Sequence, residues 1–407
     1  MTQESPKSPR DSPPEILEFT FRRTGNLDYY AHKRRRKQRF QLGILVILLG
    51  ILIWGMYQGG LIELPHRAAY RGLSSGLQQT VIVPTIDSPM PSHRNVIWCS
   101  SFQLAWNQAR DHIFKAPIQL AKEPLLARRL NTASSSDADL APASVYTTAG
   151  FVKDDIVNKI HQEMARKFPG ISASELPPTD SEGLVMYSYL PARVQFALPF
   201  HLNRDTFQFT DAQDRATAIR SFGILPFEEG TCGELRKQVK VLYRDDYLVD
   251  NQTRPTEYAL DLCRTSQPYQ IVVASIPPKE SLAETWKTLQ ADIAAMPPVS
   301  ESKPDKMEMN DSLLVPEMQW SIRHHFVELE GNKIINQHIG MISKAEQVID
   351  FQLDRSGAGI VSIAGMVMGC TPADYLFNHP YLLYMQRRGA KTPFFIMWVD
   401  NAELMDK

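Results

Sequence analysis

Ile342–Gly357 reads ISKAEQVIDFQLDRSG, and Tyr375–Met385 reads YLFNHPYLLYM. In the first stretch Val348, Ile349, Phe351 and Leu353 fall among polar neighbours, and Val348 to Leu353 is predicted as a strand. The second closes on a compact apolar run after Pro380, as a buried strand does. The link between them has no charged residue and no proline from Gly357 to Thr371. A chain of that composition can join a hydrogen-bonded ladder without burying a charge. It also reads as an ordinary buried strand.

Outward from this core the pattern is mixed. One helical face is carried by Phe102, Ala105, Trp106, Ala109 and Ile113. A second is carried by Ile156, Ile160, Met164 and Phe168. A third is carried by Leu282, Trp286, Leu289 and Ile293, with Ser281 as its N-cap. Strands are expected at Gly183–Leu190, Gln238–Tyr243, Tyr258–Leu262 and Gln270–Ile276. Asn131–Ser144, Pro169–Ser181 and Pro297–Ser312 are rich in Pro, Ser and Asp and read as loops. Helices and strands without regular alternation point to an α+β fold.

The N-terminal part is different in kind. Residues 1–39 hold the Pro/Ser-rich ESPKSPRDSPPE and the cluster Lys33, Arg34, Arg35, Arg36, Lys37 and Arg39, and are expected to be a disordered basic tail. Residues 40–62 then carry no charge at all, with LGILVILLGILIWGMY at their centre. At about 1.5 Å per residue such a helix crosses about 30 Å of hydrocarbon. Basic residues stay on the cytoplasmic side, so the tail is expected inside and everything after Glu63 outside the cytoplasm. A cleaved signal peptide is the rival; the long charged tail and the lack of an AxA-like site count against it. Residues 63–92, with Pro84, Pro89 and Pro91, read as a stalk or linker, and residues 93–407 as the folded domain.

Of 407 residues 43% are hydrophobic and 22% charged, enough for a large core, and a net charge of -1 gives no case for a nucleic-acid partner. The four cysteines, Cys99, Cys232, Cys263 and Cys370, lack CxxC spacing, so no metal site is expected. In an oxidising compartment one disulfide is open to the chain, with Cys232 and Cys263 the preferred pair; four buried thiols are the alternative. GxSxG, HExxH and P-loop patterns are absent from the sequence. Cys232 in GTCGE, with His324 and His325 as bases, is a poor nucleophile pattern, and no catalytic residue or cofactor is assigned.

The two opening stretches resemble the serpin family. YLFNHPYLLYM is similar to that family's C-terminal signature, with Tyr381 where the family prefers Phe. ISKAEQVIDFQLDRSG resembles, without a gap, the strand leading to the reactive-loop hinge, with Ser343, Lys344, Asp354 and Gly357 on matching positions. Weaker likenesses follow in the family's order: Asn95–Phe102, Leu184–Phe200, Tyr258–Pro277, Leu314–Trp320 and Pro393–Val399. Departures are Gln347 at the family's shutter histidine, Arg355 at an acidic hinge position, and Ala358 for threonine. Ile360, Val361, Ser362 and Ile363 replace an alanine run.

The resemblance implies an α+β fold with a large central mixed sheet and surrounding helices, some of them missing here; the charge-free run 40–62 places one transmembrane helix before it. It implies a reactive loop over residues 357–374, with a hinge at Gly357, Ala358, Gly359 and Ile360. The scissile region would be Met366, Met368, Gly369 and Cys370. With no Arg or Lys between Arg355 and Arg387, the implied partner is a serine (or cysteine) protease that prefers Met or small apolar residues. The other partner is the lipid bilayer, through residues 40–62. A suicide-substrate inhibitor is one expected function; a non-inhibitory binding or structural module on the membrane surface is the other.

Overall fold

The computed structural model describes residues 76–407, except 134–144, 172, 174–175, 180, 194–195, 226–231, 247–254, 265–267, 298–304, 309–310, 337–339 and 356–372. Residues 1–62, with the expected membrane helix, lie outside the described residues. Among the described residues no helix is long and apolar enough to cross a membrane.

The chain opens with β1 (Thr80–Ile82) and β2 (Asn95–Cys99), which pair in parallel. The folded edge therefore begins inside 63–92, and Val83 is already buried. The carboxylate of Glu403 holds this edge, accepting from the Gln78 and Gln79 amides and the Thr80 hydroxyl. Helix α1 (Ser101–Gln108) follows. It widens into a π-helical turn at Ala109–Phe114, which ends at Lys115 in the left-handed region (φ 53°). That turn buries Phe114 fully beside Ile113, which is half-buried against the same core. Next come α2 (Leu125–Thr132), β3 (Tyr146–Phe151), α3 (Ile156–Lys167) and β4 (Leu184–Arg193).

The middle of the chain is β5 (His201–Leu202), β6 (Phe207–Thr210), β7 (Ala216–Ile219), β8 (Ser221–Ile224), α4 (Cys232–Gln238) and β9 (Lys240–Arg244). β10 (Tyr258–Asp261) and β11 (Tyr269–Ser275) form the expected antiparallel hairpin. Helix α5 (Leu282–Ala295) starts where expected: the Ser281 hydroxyl accepts from the Glu284 amide at 3.2 Å. β12 (Ser312–Pro316), β13 (Met318–His325) and β14 (Ile342–Leu353) follow. The chain closes with β15 (Asp374–Leu376), β16 (Tyr381–Arg387) and β17 (Phe395–Val399).

These strands form a seven-stranded sheet, β1-β2-β17-β16-β11-β10-β9, two four-stranded sheets, β15-β12-β8-β5 and β13-β14-β4-β3, and the pair β6-β7. The first three are mixed, each with one parallel pair. Ile342–Leu353 and Tyr381–Arg387 thus sit in different sheets. They meet in one core, where Phe351 of β14 stacks between Trp320 of β13 (centroids 5.0 Å apart) and Phe395 of β17 (5.1 Å). On the far side of the seven-stranded sheet, α5 packs Leu282 and Leu289 against Val272, Leu382 and Ile396.

Of the two alternatives left open for the cysteines, the Cys232–Cys263 disulfide is not formed. Cys263 carries a free thiol in the core, where its Sγ accepts from the Ile271 amide at 3.1 Å.

Candidate functional site at a parallel seam

β14 and β4 run in parallel from Ile342 opposite Leu184 to Gln352 opposite Arg193, with one irregularity between Ile342 and Lys344. The other edge of β14 is taken by β13, antiparallel, from Met318 opposite Leu353 to His325 opposite Glu346. Both edges of β14 are therefore occupied. Ala345, Ile349, Phe351 and Leu353 point into the core, and Val348 belongs to the opposite face under α3.

One inward position breaks this pattern. Gln347 is 1% exposed and lies opposite Ser188. A buried amide needs partners, and the fold supplies them from two other elements and, through one of these, reaches a third. The Gln347 side chain donates to the Cys99 carbonyl at the end of β2 (3.2 Å) and to the Ser101 hydroxyl at the start of α1 (2.9 Å). The Ser101 hydroxyl in turn donates to the Ser188 hydroxyl on β4 (3.3 Å). The result is a polar clip that ties both strands of the seam to β2 and α1. Cys99 lies beside it; burial pushes its thiol up to about 11, so it is held as a neutral thiol and not as a nucleophile.

The outer face carries charge. Glu346 is fully buried, with Lys344 Nζ at 3.2 Å, His325 Nε2 at 3.2 Å and Arg323 Nε at 3.8 Å. Burial lifts its carboxyl above the ordinary range, and the neighbouring cations only partly offset that. His325 also faces Glu330 at 3.2 Å, which accepts from the Ala345 amide. Further along, the Tyr189 hydroxyl donates to Asp350 across the seam at 2.5 Å. Helix α3 covers this end, setting Ile156, Val157, Ile160 and Met164 against Tyr187, Tyr189 and Val348.

The segment after β14 is anchored on both sides. The Arg355 carbonyl accepts from the Phe200 amide at 3.0 Å, and the Gln352 side chain donates to Asp354 at 2.5 Å. On the return, the Ala373 amide donates to Asp311 (2.9 Å), and β15 pairs in parallel with β12. The expected hinge, Gly357, Ala358, Gly359 and Ile360, and the expected scissile residues, Met366, Met368, Gly369 and Cys370, lie outside the described residues.

Of the two histidines considered as bases for Cys232, His324 packs edge-on against Phe326 at 4.7 Å with its basicity lowered by burial, and His325 belongs to the Glu346 group. Among the described residues no group of three or more His, Cys, Asp or Glu could hold a metal ion. Ser101, Ser188, Tyr189 and Asp350 were not singled out by the sequence. Gln347 departs from the resemblance, and a lone amide in the apolar phase Ala345, Ile349, Phe351, Leu353 is a readable signal for a buried polar contact.

No family model and no curated protein matches the chain. Among solved structures it is similar to native protease nexin-1 with heparin, at 10% identity and a TM-score of 0.46, over 76% of this chain and 92% of that one. It is also similar to uncleaved ovalbumin, at 10% identity and a TM-score of 0.44, over 76% of this chain and 94% of that one. Likenesses of this extent leave the functional reading to the residues of the chain itself.

Proposed function

We propose that this chain is a serpin-like protein, held to a membrane by residues 40–62, whose segment 357–374 serves as a reactive loop for a serine (or cysteine) protease. One observation carries the reading: β14, which feeds that segment, is a direct parallel neighbour of β4. A segment that turns back from the end of β14 runs antiparallel to it. Placed between β14 and β4, it is antiparallel to both, and it replaces one parallel ladder by two antiparallel ones, the slightly stronger kind. The fifteen residues Gly357–Thr371 reach about 50 Å when extended, more than the ten residues of β4 require. They bring neither charge nor proline into the ladder. The polar clip at Gln347 and Ser188 is what must part to admit them.

The membrane part of the proposal is supported by a charge-free run directly after six basic residues. It places the folded domain outside the cytoplasm. The absence of Arg and Lys between Arg355 and Arg387 favours a protease that takes Met or small apolar residues. A second reading, a non-inhibitory binding module, is favoured by Ile360, Val361 and Ile363, which would make an exposed loop sticky.

Incubation with an elastase-like protease separates the two. An adduct that survives SDS, together with a rise in Tm of the cleaved chain, is expected for the inhibitor. Clean cleavage with an unchanged Tm defeats that reading and leaves the binding module.

A further inference from the structure

Glu317 joins β12 to β13, and its side chain is only 4% exposed. Its Oε2 lies 3.0 Å from Nη2 of Arg220, which sits between β7 and β8 with a side chain 55% exposed. The backbones around this pair form a closed triangle. The Glu317 amide donates to the Arg220 carbonyl (3.0 Å), the Arg220 amide to the Asp406 carbonyl (2.8 Å), and the Asp406 amide to the Glu317 carbonyl (2.9 Å). The end of β14 reaches the same corner, because Leu353 pairs with Met318.

The charges there conflict. Asp354 and Asp406 oppose a charge on Glu317, whereas Arg220 and Arg355 favour it. Burial is the largest influence, and with the two aspartates it outweighs the two arginines and lifts the Glu317 carboxyl to about 7. A half-exposed arginine is a poor replacement for the water that the carboxylate gives up.

We propose that Glu317, with Arg220, Asp354, Arg355 and Asp406 about it, is a proton-operated latch on the corner where β14 ends. With a proton on Glu317 the corner stays closed and the backbone triangle is intact. Without it, the carboxylate favours an opened corner in which it meets water. The direction follows from linkage. An acid whose value is raised in the closed form stabilises that form fully below its ordinary value, and the stabilisation fades as pH climbs toward 7. This needs only the contacts named here. Its consequence, that mild acid holds the end of β14 in place and delays strand exchange, rests on the inhibitor reading.

Amide hydrogen exchange of the full chain, followed by mass spectrometry from pH 5 to pH 8 and corrected for intrinsic exchange, tests the latch apart from any protease. Opening at the amides of Arg220, Glu317 and Asp406 is expected to rise at least about tenfold over that range, as the proton that favours the closed corner is lost. Amides of β16 should show no such rise, and Glu317→Gln should flatten the profile. A flat profile in the unaltered chain, or the same rise in Glu317→Gln, overturns the proposal. Should Glu317→Gln not fold, Arg220→Gln on the half-exposed side must move the midpoint to higher pH; an unmoved midpoint overturns it equally.

Discussion

The middle of the seven-stranded sheet, with strands of five to seven residues, and the seam between β14 and β4, with strands of twelve and ten, share apolar burial but differ in what crosses between the strands. Tyr381 to Met385 are buried without a break, and both neighbours, β11 and β17, are antiparallel. Apolar side chains fill both faces, with α5 on one and the shared core on the other. The seam is parallel, and it is crossed by hydroxyl, amide and carboxylate contacts: Gln347 and Ser188 through Ser101, and Tyr189 with Asp350. Apolar burial is non-directional, and it is lost when area is exposed or a cavity is left. A hydrogen bond is lost over a fraction of an ångström, and its groups accept new partners once a strand or water arrives. The first region suits a permanent scaffold, the second a joint that can be remade.

The largest effect expected from this contrast is in the scaffold. Leu383 lies opposite Val273 on one side and Met397 on the other, with no exposure. Leu383→Ala should cost about 2–5 kcal/mol in urea unfolding followed by circular dichroism. The loss should appear in the global transition, with exchange at the seam no worse than elsewhere. A cost below about 1 kcal/mol would remove the distinction, since the sheet could then absorb a cavity as a loose joint does.

Gln347→Ala acts on the other region. It leaves the Cys99 carbonyl and the Ser101 hydroxyl without their buried donor, a loss of about 1–3 kcal/mol. Here the change should be local: amides of β14 and β4 near Val348 and Ser188 lose protection while those of β16 keep it. Under the inhibitor reading the same variant should convert more readily to the inserted form on mild heating, seen as a gain in Tm after cooling. Equal loss of protection in both sheets would show that the clip is only one more core contact.

How much of this was legible in the sequence follows the same division. Apolar period carried the scaffold: the β10–β11 hairpin, α3 and α5 with its Ser281 cap stand where the pattern put them. By period alone β14 was expected only from Val348, but it begins at Ile342. Lys344 and Glu346 hid its first half, because a buried ion group looks like a solvated stretch until Arg323 and His325 arrive from β13. Strand β3 was missed for a related reason. Its Thr147, Thr148 and Gly150 show no alternation, and Gly150 is needed where a Cβ would come within 2.9 Å of the Ile156 side chain. The clip was illegible in one dimension, since Cys99, Ser101, Ser188 and Gln347 come together only through the topology.

The smallest effect sharpens the comparison from outside both regions. Ser281 is the N-cap of α5, and its hydroxyl satisfies the Glu284 amide. Ser281→Ala should cost about 1 kcal/mol, as the loss of a cap usually does. Helix α5 touches the seven-stranded sheet through Leu282 and Leu289 and has no part in the Gln347 contacts. If that sheet and its helix unfold as one unit, the whole loss appears in the urea midpoint, and exchange at Ser188 and Gln347 is unchanged. If the seam also loses protection, it opens only when the scaffold does. It would then be no independent joint, and strand exchange there would require most of the molecule to unfold first.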